Sequence, residues 1–379
     1  MEEATHNNES TNDTDCPKHK QRIILRRSVL VPFINSDAVD RSNTPPRRNH
    51  LRLMMLACEP NPPYGPSEKT AHMFLHLIAT AIREKASASA SASARTGTGT
   101  TNLNTINIQV SITIYNVVQF DYPTSTQEWD SYQGIIIPGS FSSAYDPDLW
   151  IQLLKQVILK DIHGQQRKTL AVCFGHQLFA HAFQQTVQQE DTPAGGLATK
   201  CTAGPQAGRR VWMPTPVGKA LLSFRSQTHS SSSSNGGTGL HLLYTHGDMV
   251  TQLPSCALSL GGTSNVDIVA AAYFGSSSEA NLFHKRGVGS NGKIAAASMT
   301  ESSSMPLPYA ITFQAHPEYF DEHGYFDHFQ NVLNAMCEHG AISKEALERE
   351  RADARVCKEL VWTDTVDIMI QVGTILGWM

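Results

Sequence analysis

The sequence contains no closely spaced pair of cysteines and no long apolar run. Its 379 residues include seven cysteines, all far apart, whereas a zinc ribbon or a disulfide framework needs cysteines at short or regular spacings. No segment approaches the ~18 consecutive apolar residues of a membrane-spanning helix. We therefore expect no metal site and no membrane insertion, and we expect a reducing location in the cytoplasm.

Charge of either sign is also scarce. Charged residues make up 17% of the chain, and the formal net charge is −4. A concentrated basic surface is not expected, so neither nucleic acid nor an anionic membrane is predicted as a partner. By contrast, 40% of the residues are hydrophobic. This composition and length suit one large α/β domain with appendages.

The amino-terminal segment is polar and lacks the apolar core of a secretory signal. We interpret residues 1–48 as a disordered leader. An organelle transit peptide is the alternative because several arginines follow residue 20, although Glu2 and Glu3 are untypical of one.

Low-complexity segments divide the remainder of the chain. Serine, glycine and alanine dominate three stretches that cannot bury a face, so we predict flexible insertions at about 86–103, 227–240 and 275–306. These insertions interrupt a single domain over residues 49–340, and residues 341–379 are predicted to form a C-terminal helical extension.

Short apolar runs alternate with helical patterns along the domain. The runs at 51–58, 134–138, 169–172 and 310–315 are typical of strands covered on both faces. Alternation of this kind predicts an α/β fold, with a doubly wound, mostly parallel sheet and helices on both faces. Sites in such sheets lie at the carboxyl ends of strands.

One apolar strand runs directly into Cys173, and a helix follows at once in the segment LAVCFGHQ, residues 170–177. This is the layout of a nucleophile elbow, where small residues such as Ala171 and Gly175 allow a sharp turn. The amino end of the helix favours a thiolate. The pattern predicts Cys173 as a nucleophile, and a buried structural cysteine is the alternative.

A second strand end carries a histidine and a carboxylate, in the segment TFQAHPEY, residues 312–319. A thiolate needs an imidazole partner, and the imidazole needs an acceptor on its other nitrogen. His316 and Glu318 can supply both from one turn. An ordinary surface His-Pro turn is the alternative, but the separate elbow cysteine favours the catalytic interpretation.

A third strand end is the Pro-Gly turn of IIIPGS, residues 135–140. A backbone N–H at Gly139 or Ser140 can face a developing oxyanion, and the amide of Phe174 would complete a two-donor hole. A plain turn is the alternative, because Pro-Gly is a common turn dipeptide.

Taken in order, PGS, CFGHQ, THGDMVTQLP and FQAHPE resemble the class I glutamine amidotransferases over about residues 51–335. The resemblance implies a flavodoxin-like α/β fold with a Cys-His-Glu triad. It implies Cys173 as the nucleophile, His316 as general base and acid, and Glu318 as the residue that orients the histidine.

The same resemblance implies residues around the triad. The oxyanion hole maps onto the backbone amides of Gly139 and Phe174. Substrate contacts map onto Gln177 and onto the Gly247 and Asp248 segment.

The function predicted from this resemblance is cysteine-dependent hydrolysis of a γ-glutamyl amide, either glutamine or a γ-glutamyl peptide. It proceeds through a γ-glutamyl thioester, releases glutamate and needs no cofactor or metal. Free-standing members of the resembled family with CFGHQ and HGD motifs include γ-glutamyl peptidases. One alternative is a glutaminase subunit that delivers ammonia to a separate synthetase subunit. A non-catalytic binding module of the same fold is the other.

Overall fold

In a computed structural model of the protein, ten strands join in one sheet. The structure describes residues 22–34, 49–59, 65–95, 103–186, 196–222, 239–287, 305–319 and 325–379. The strands are β1 Ile24–Ile34, β2 His50–Ala57, β3 Leu103–Asn116, β4 Gly134–Ile137, β5 Thr169–Val172, β6 Leu197–Lys200, β7 Gln206–Pro214, β8 Leu240–His246, β9 Asp248–Gln252, β10 Ala257–Gly262, β11 Ala270–Tyr273 and β12 Ala310–Phe313. The helices are α1 Ser67–Arg95, α2 Thr126–Asp130, α3 Leu149–Val157, α4 Phe174–Ala182, α5 Pro216–Leu221, α6 Ser277–Gly287, α7 Tyr325–Glu338, α8 Lys344–Val356 and α9 Lys358–Ile375.

The strand order of the large sheet is β1-β3-β2-β4-β5-β12-β11-β10-β7-β8. Its five central strands, from β3 to β12, pair in parallel. The strands outside them pair antiparallel, and β6 and β9 form a separate antiparallel pair. The predicted parallel α/β sheet is confirmed at the centre, and antiparallel strands widen it on both sides.

Helices cover both faces of this sheet, as predicted. Along β2, Leu53 and Met55 belong to one buried cluster, which also contains residues of α1 and α9. Met54 and Leu56 belong to a second cluster with residues of α3 and α4. Alternate side chains of one strand therefore pack into two separate cores.

The ends of three central strands meet at one edge of the sheet. β4 and β5 are neighbours in register, with Ile137 opposite Ala171. β12 lies on the other side of β5, with Phe313 opposite Val172. The residues that follow these three strands therefore emerge side by side at the carboxyl edge, where α/β sheets place their sites.

The leader predicted for residues 1–48 contains a strand, so the prediction of disorder is wrong for residues 24–34. β1 pairs antiparallel with β3 along its whole length, and Val29 and Val31 are buried. The arginines of this segment concealed a β-branched strand, which an exposed edge of the sheet can recruit. Residues 1–21 and 35–48 lie outside the described residues.

The first predicted insertion is helical in its first half. α1 continues through the alanine-serine run to Arg95, because alanine has the highest helix propensity of all residues. The prediction of a flexible insertion is therefore wrong for residues 86–95. Residues 96–102 lie outside the described residues.

The third predicted insertion also contains a helix. Residues 277–287 form α6, where Phe283 packs against Phe274 with ring centroids 5.3 Å apart. The prediction is wrong for this part, whereas residues 288–304 lie outside the described residues. The second insertion, up to residue 238, also lies outside them, and β8 begins at Leu240.

The predicted C-terminal helices pack against the domain. The Ser343 hydroxyl accepts a hydrogen bond from the Ala346 amide at 3.2 Å and caps α8. Beyond α9, the Trp378 indole donates to the Gln133 carbonyl at 3.3 Å. Among the described residues, a helix with the length and hydropathy of a membrane span does not occur.

Candidate active site

Cys173 lies at the junction between β5 and α4, at the carboxyl edge of the parallel strands. Its backbone has φ 53° and ψ −107°, a region that is strained for any residue except glycine. The Cys173 amide donates to the Phe313 carbonyl at 2.7 Å, and its carbonyl accepts from the Gln177 amide at 3.0 Å. Bonds to β12 and to α4 thus hold the strained turn, as expected for a nucleophile elbow.

Gly175 allows α4 to approach the end of β4. A Cβ atom at this position would lie 2.4 Å from the carbonyl oxygen of Ile137, a distance at which a real side chain would force the backbone apart. The Gly175 amide also donates to the Pro138 carbonyl at 3.3 Å. The glycine of the CFGHQ motif therefore keeps the amino end of α4, with the Phe174 amide, close to the turn that follows β4.

His316 and Glu318 form a buried pair beyond the end of β12. Nδ1 of His316 is 2.8 Å from Oε1 of Glu318, and each residue is 2% exposed. The Tyr319 ring stacks on the imidazole, with centroids 4.0 Å apart and an interplanar angle of 4°. Because Glu318 engages Nδ1 and Tyr319 covers one ring face, Nε2 is the nitrogen left for Cys173.

The charge around His316 favours its protonated form. Burial alone lowers the pKa of this imidazole, but the nearby Cys173 sulfur and the Glu318 carboxylate outweigh burial and raise the pKa to about 10. An opposite charge within a few ångströms stabilises a buried imidazolium in this way. The arrangement therefore holds a proton on His316 at neutral pH.

The three predicted strand-end segments converge at Gly139. A Cβ atom there would lie 3.0 Å from Cε1 of His316 and 3.6 Å from Cβ of Cys173. The turn after β4 is thus in contact distance of both Cys173 and His316. The role of the Gly139 and Phe174 amides as an oxyanion hole stays a prediction that this proximity supports.

The three residues predicted to bind substrate lie close to one another. Nε2 of Gln177 donates to the Asp248 carbonyl at 3.0 Å and to Oε1 of Gln314 at 3.1 Å. The Asp248 carboxylate accepts from the Tyr145 hydroxyl at 2.9 Å, and Gly247 is exposed. Polar groups of Gln177 and Asp248 are engaged within the protein, so their contact with substrate stays a prediction.

A second cysteine–histidine pair lies near this cluster. Sγ of Cys201 is 3.6 Å from Nδ1 of His246, which also lies 2.7 Å from the Asp248 carbonyl oxygen. Burial lowers the pKa of His246 to about 3. Burial, with smaller effects of Asp248 and Cys173, raises the pKa of Cys201 to about 12. This pair is therefore uncharged at neutral pH and unsuited to nucleophilic chemistry.

Sequence reasoning missed one residue at the carboxyl edge. Glu59 follows β2 by two positions, and its carboxylate accepts hydrogen bonds from Ser140 and Phe141 in the turn after β4. One sequence signal could have identified Glu59: it is a carboxylate just beyond the carboxyl end of a predicted central strand, where α/β sheets place their sites. The partners lie 81 and 82 residues further along the chain, so no local motif contained them.

Comparison with protein families agrees with this geometry. Residues 102–276 match the family model described as glutamine amidotransferase class-I. This segment of the chain is similar to the class-I glutamine amidotransferases. The matched segment includes the turn at Gly139, the elbow at Cys173 and the turn at Gly247. It ends before β12, and His316 and Glu318 lie beyond the matched segment.

Curated relatives are similar to part of this chain. Gamma-glutamyl peptidase 5 of Arabidopsis thaliana is 26% identical over 161 residues, which are 42% of this chain and 56% of that protein. Gamma-glutamyl peptidase 4 of the same plant is 30% identical over 92 residues, 24% of this chain and 32% of that protein. The chain thus spans about half, or less, of the length of these relatives.

Solved structures with a similar course of the chain include two glutamine amidotransferases. The one from Thermotoga maritima is 14% identical, with a TM-score of 0.48, and the match covers 85% of this chain and 98% of that one. The one from Methylobacillus flagellatus is also 14% identical, with a TM-score of 0.47 and coverage of 87% and 94%.

Proposed function

We propose that this protein hydrolyses a γ-glutamyl amide, either glutamine or a γ-glutamyl peptide, through a γ-glutamyl thioester on Cys173. The observation that carries the proposal is the convergence of a strained elbow cysteine and a buried His316–Glu318 pair at Gly139. The substrate class is supported by the names of the partly similar plant proteins, which are γ-glutamyl peptidases.

In the first step, the thiolate of Cys173 attacks the γ-carbonyl carbon of the substrate. The carbonyl oxygen gains negative charge, which the amides of Gly139 and Phe174 are proposed to stabilise. Each such donor typically contributes on the order of 10²–10³-fold in rate. The protonated His316 gives its proton to the leaving nitrogen, so the amine departs neutral and the thioester remains.

In the second step, water hydrolyses the thioester. Acylation removes the negative charge of Cys173, which is one of the causes of the raised pKa of His316. The imidazole is then neutral and can accept a proton from the attacking water. Collapse of the second tetrahedral intermediate releases glutamate and restores the Cys173 thiolate beside protonated His316. Glu318 fixes the ring direction in both steps.

The same triad also serves a glutaminase subunit that delivers ammonia to a separate synthetase subunit. The match of residues 102–276 to the class-I glutamine amidotransferase model is the observation that keeps this alternative, because the two functions differ only in what accepts the leaving amine. The alternative predicts slow release of glutamate from glutamine by the isolated protein, and faster release when the synthetase partner is bound.

The test is glutamate release by the purified protein with glutamine and with glutathione in parallel, beside a Cys173→Ala control. Release from glutathione that the control lacks would support a self-sufficient peptidase. Slow release from glutamine alone would favour the ammonia-delivering subunit. Folded protein that releases glutamate from neither substrate would contradict the proposed self-sufficient hydrolase and favour the non-catalytic binding module.

A further inference from the structure

The turn that carries Gly139 is held by a residue outside the triad. Oε2 of Glu59 accepts a hydrogen bond from the Ser140 hydroxyl at 3.2 Å and another from the Phe141 amide at 3.0 Å. The Ser140 oxygen in turn accepts from the Ser142 amide at 3.2 Å. One carboxylate oxygen therefore ties three consecutive residues after Gly139 to the end of β2.

The position of Glu59 follows from the order of the strands. β2 and β4 are parallel neighbours in the sheet, so the segments beyond their carboxyl ends emerge side by side. Glu59 and the turn at Gly139 line the same small cavity as His316 and Glu318. Ser140 is 7% exposed, so the hydroxyl end of its bond to Glu59 is largely removed from water, whereas Glu59 itself is half-buried.

A carboxylate in this place calls for a physical reason, because negative charge near an oxyanion hole opposes the charge that develops there. The hydrogen bonds supply one. Bonds to an ionised acceptor are roughly twice as strong as bonds between neutral groups. Glu59 thus holds a short turn whose neighbouring backbone lies against the catalytic histidine, as the 3.0 Å approach of a Gly139 Cβ to Cε1 of His316 indicates.

We propose that Glu59 is a positioning residue for the oxyanion hole: it fixes the turn 139–142 so that the Gly139 amide is directed at the substrate carbonyl oxygen in the transition state. This inference rests on the proposed hydrolysis of a γ-glutamyl amide. In this proposal Glu59 acts through the turn and not on the reacting atoms. Since preorganised donors act mainly on the transition state, its loss should affect kcat more than KM.

The chain offers a graded set of variants. Glu59→Ala removes both hydrogen bonds. Glu59→Gln keeps an acceptor oxygen at the same distance from the backbone while it removes the charge. Ser140→Ala removes the bond from the Ser140 hydroxyl to Glu59 and leaves the bond from the Phe141 amide.

Three readouts separate positioning from a general loss of structure. The first is kcat and KM for whichever substrate the wild type hydrolyses. The second is the rate of alkylation of Cys173 by iodoacetamide, which needs the thiolate and the elbow but no oxyanion hole. The third is amide hydrogen exchange of the peptide that spans residues 138–144, which reports directly on how firmly the turn is held.

We expect Glu59→Ala to lower kcat about 10–100-fold, because a displaced donor loses much of the 10²-fold or larger effect of a well-placed one. KM and the alkylation rate should stay within about threefold of wild type, and exchange of the 138–144 peptide should accelerate. Glu59→Gln should lower kcat by no more than about threefold, because it keeps an acceptor for both bonds but weakens them by removing the charge. Ser140→Ala should fall between the two variants.

Several outcomes would overturn the assignment. The assignment fails if Glu59→Ala leaves kcat or the exchange rate of the 138–144 peptide unchanged. It also fails if kcat and the alkylation rate fall in parallel, because that result indicates a general loss of structure. An equal defect in Glu59→Gln would assign the effect to charge and not to the hydrogen bonds. If Glu59→Ala does not fold, Ser140→Ala gives the same comparison. If the wild type hydrolyses no γ-glutamyl amide, the proposed function fails, whereas the exchange rates still decide whether Glu59 holds the turn.

Discussion

Two cysteine–histidine pairs lie in one domain and differ in what the imidazole contacts apart from sulfur. Nδ1 of His316 meets a carboxylate oxygen of Glu318 at 2.8 Å. Nδ1 of His246 meets the backbone carbonyl of Asp248 at 2.7 Å, while the Asp248 carboxylate accepts from Tyr145. The pKa of His316 rises to about 10, and that of His246 falls to about 3.

Burial alone does not account for this difference, because both histidines are buried. Removing an imidazolium from water carries a large free-energy cost, which a full negative charge nearby can offset and a carbonyl dipole cannot. The sequence spacing of a histidine and an acidic residue is therefore a poor guide to whether the carboxylate contacts the imidazole and raises its pKa. Both pairs read His-x-acid, in His316-Pro-Glu318 and His246-Gly-Asp248, yet only one carboxylate faces its histidine.

The largest effect should come from removing each cysteine in turn. Cys173→Ala should abolish release of glutamate, a loss of at least about 10³-fold, because the nucleophile of a covalent mechanism has no substitute. Cys201→Ala should retain most of the wild-type rate, since the pKa of Cys201 is raised to about 12 and its thiol stays protonated. The measurement is the steady-state rate, with mass mapping of iodoacetamide adducts. Preferential alkylation of Cys201 would contradict the prediction that Cys173 is the more reactive of the two thiols.

Removing the Glu318 carboxylate, which together with Cys173 raises the pKa of His316, should have the next largest effect. Glu318→Gln should lower kcat about 10²-fold, within the range of a general acid–base contribution. It should also lower the pKa of His316, because the Glu318 carboxylate helps to raise it. The alkaline limb of the pH–rate profile, where protonated His316 is lost, should therefore move to lower pH. An unmoved limb would show that Glu318 does not set the protonation of His316.

The two histidines should also give the stability opposite dependences on pH. The pKa of His246 is depressed by burial, so the unfolded chain binds the extra proton, and stability is lost as pH falls below about 6.5. The pKa of His316 is raised, so its contribution is complete below about 6.5 and is lost as pH rises towards 10. Each histidine contributes at most about 1.4 kcal/mol per pH unit.

Urea unfolding of variants across this range tests the sign of each contribution. His246→Gln should reduce the slope with which the free energy of unfolding falls between pH 6.5 and 4.5. The slope at higher pH should stay the same as in the wild type. Cys173→Ala should flatten the loss between pH 8 and 10, because it removes one of the charges that raise the pKa of His316. Equal slopes in variant and wild type, in either window, would contradict the assigned protonation state.

The proximity of Cys173, His316 and Glu318 could be predicted because each of these residues belongs to a local pattern at a strand end. The Cys173 elbow needs its small neighbours within two positions, and Glu318 reaches His316 from two positions away. Steric and hydrogen-bonding requirements between residues so close along the chain restrict which residue types can occur there, so they can be recognised as a local sequence motif. The parallel centre of the sheet was predictable for a similar reason, since buried strands such as β4 and β5 are apolar throughout.

The remaining features depend on contacts between distant parts of the chain. Cys201 and His246 are 45 residues apart, and Glu59 is 81 residues from Ser140, so no local spacing pairs them. β1 was hidden because its arginines mask a β-branched segment, and its partner strand β3 lies about 80 residues further along the chain. The prediction for the alanine-serine run failed for another reason. Its low complexity suggested a flexible insertion, whereas the high helix propensity of alanine extends α1 to Arg95.

The smallest effects should come from adding one methyl group beside each histidine. A Cβ at Gly139 would lie 3.0 Å from Cε1 of His316, so Gly139→Ala should displace the ring or the turn by a few tenths of an ångström and lower kcat about 10-fold. Gly247 has nothing within 4 Å of such a Cβ, so Gly247→Ala should leave kcat and the unfolding midpoint unchanged. A rise in KM for Gly247→Ala alone would mean that substrate lies against this turn, as the sequence predicts. An equal loss of kcat in both variants would instead mean that the contact between Gly139 and His316 has no special role.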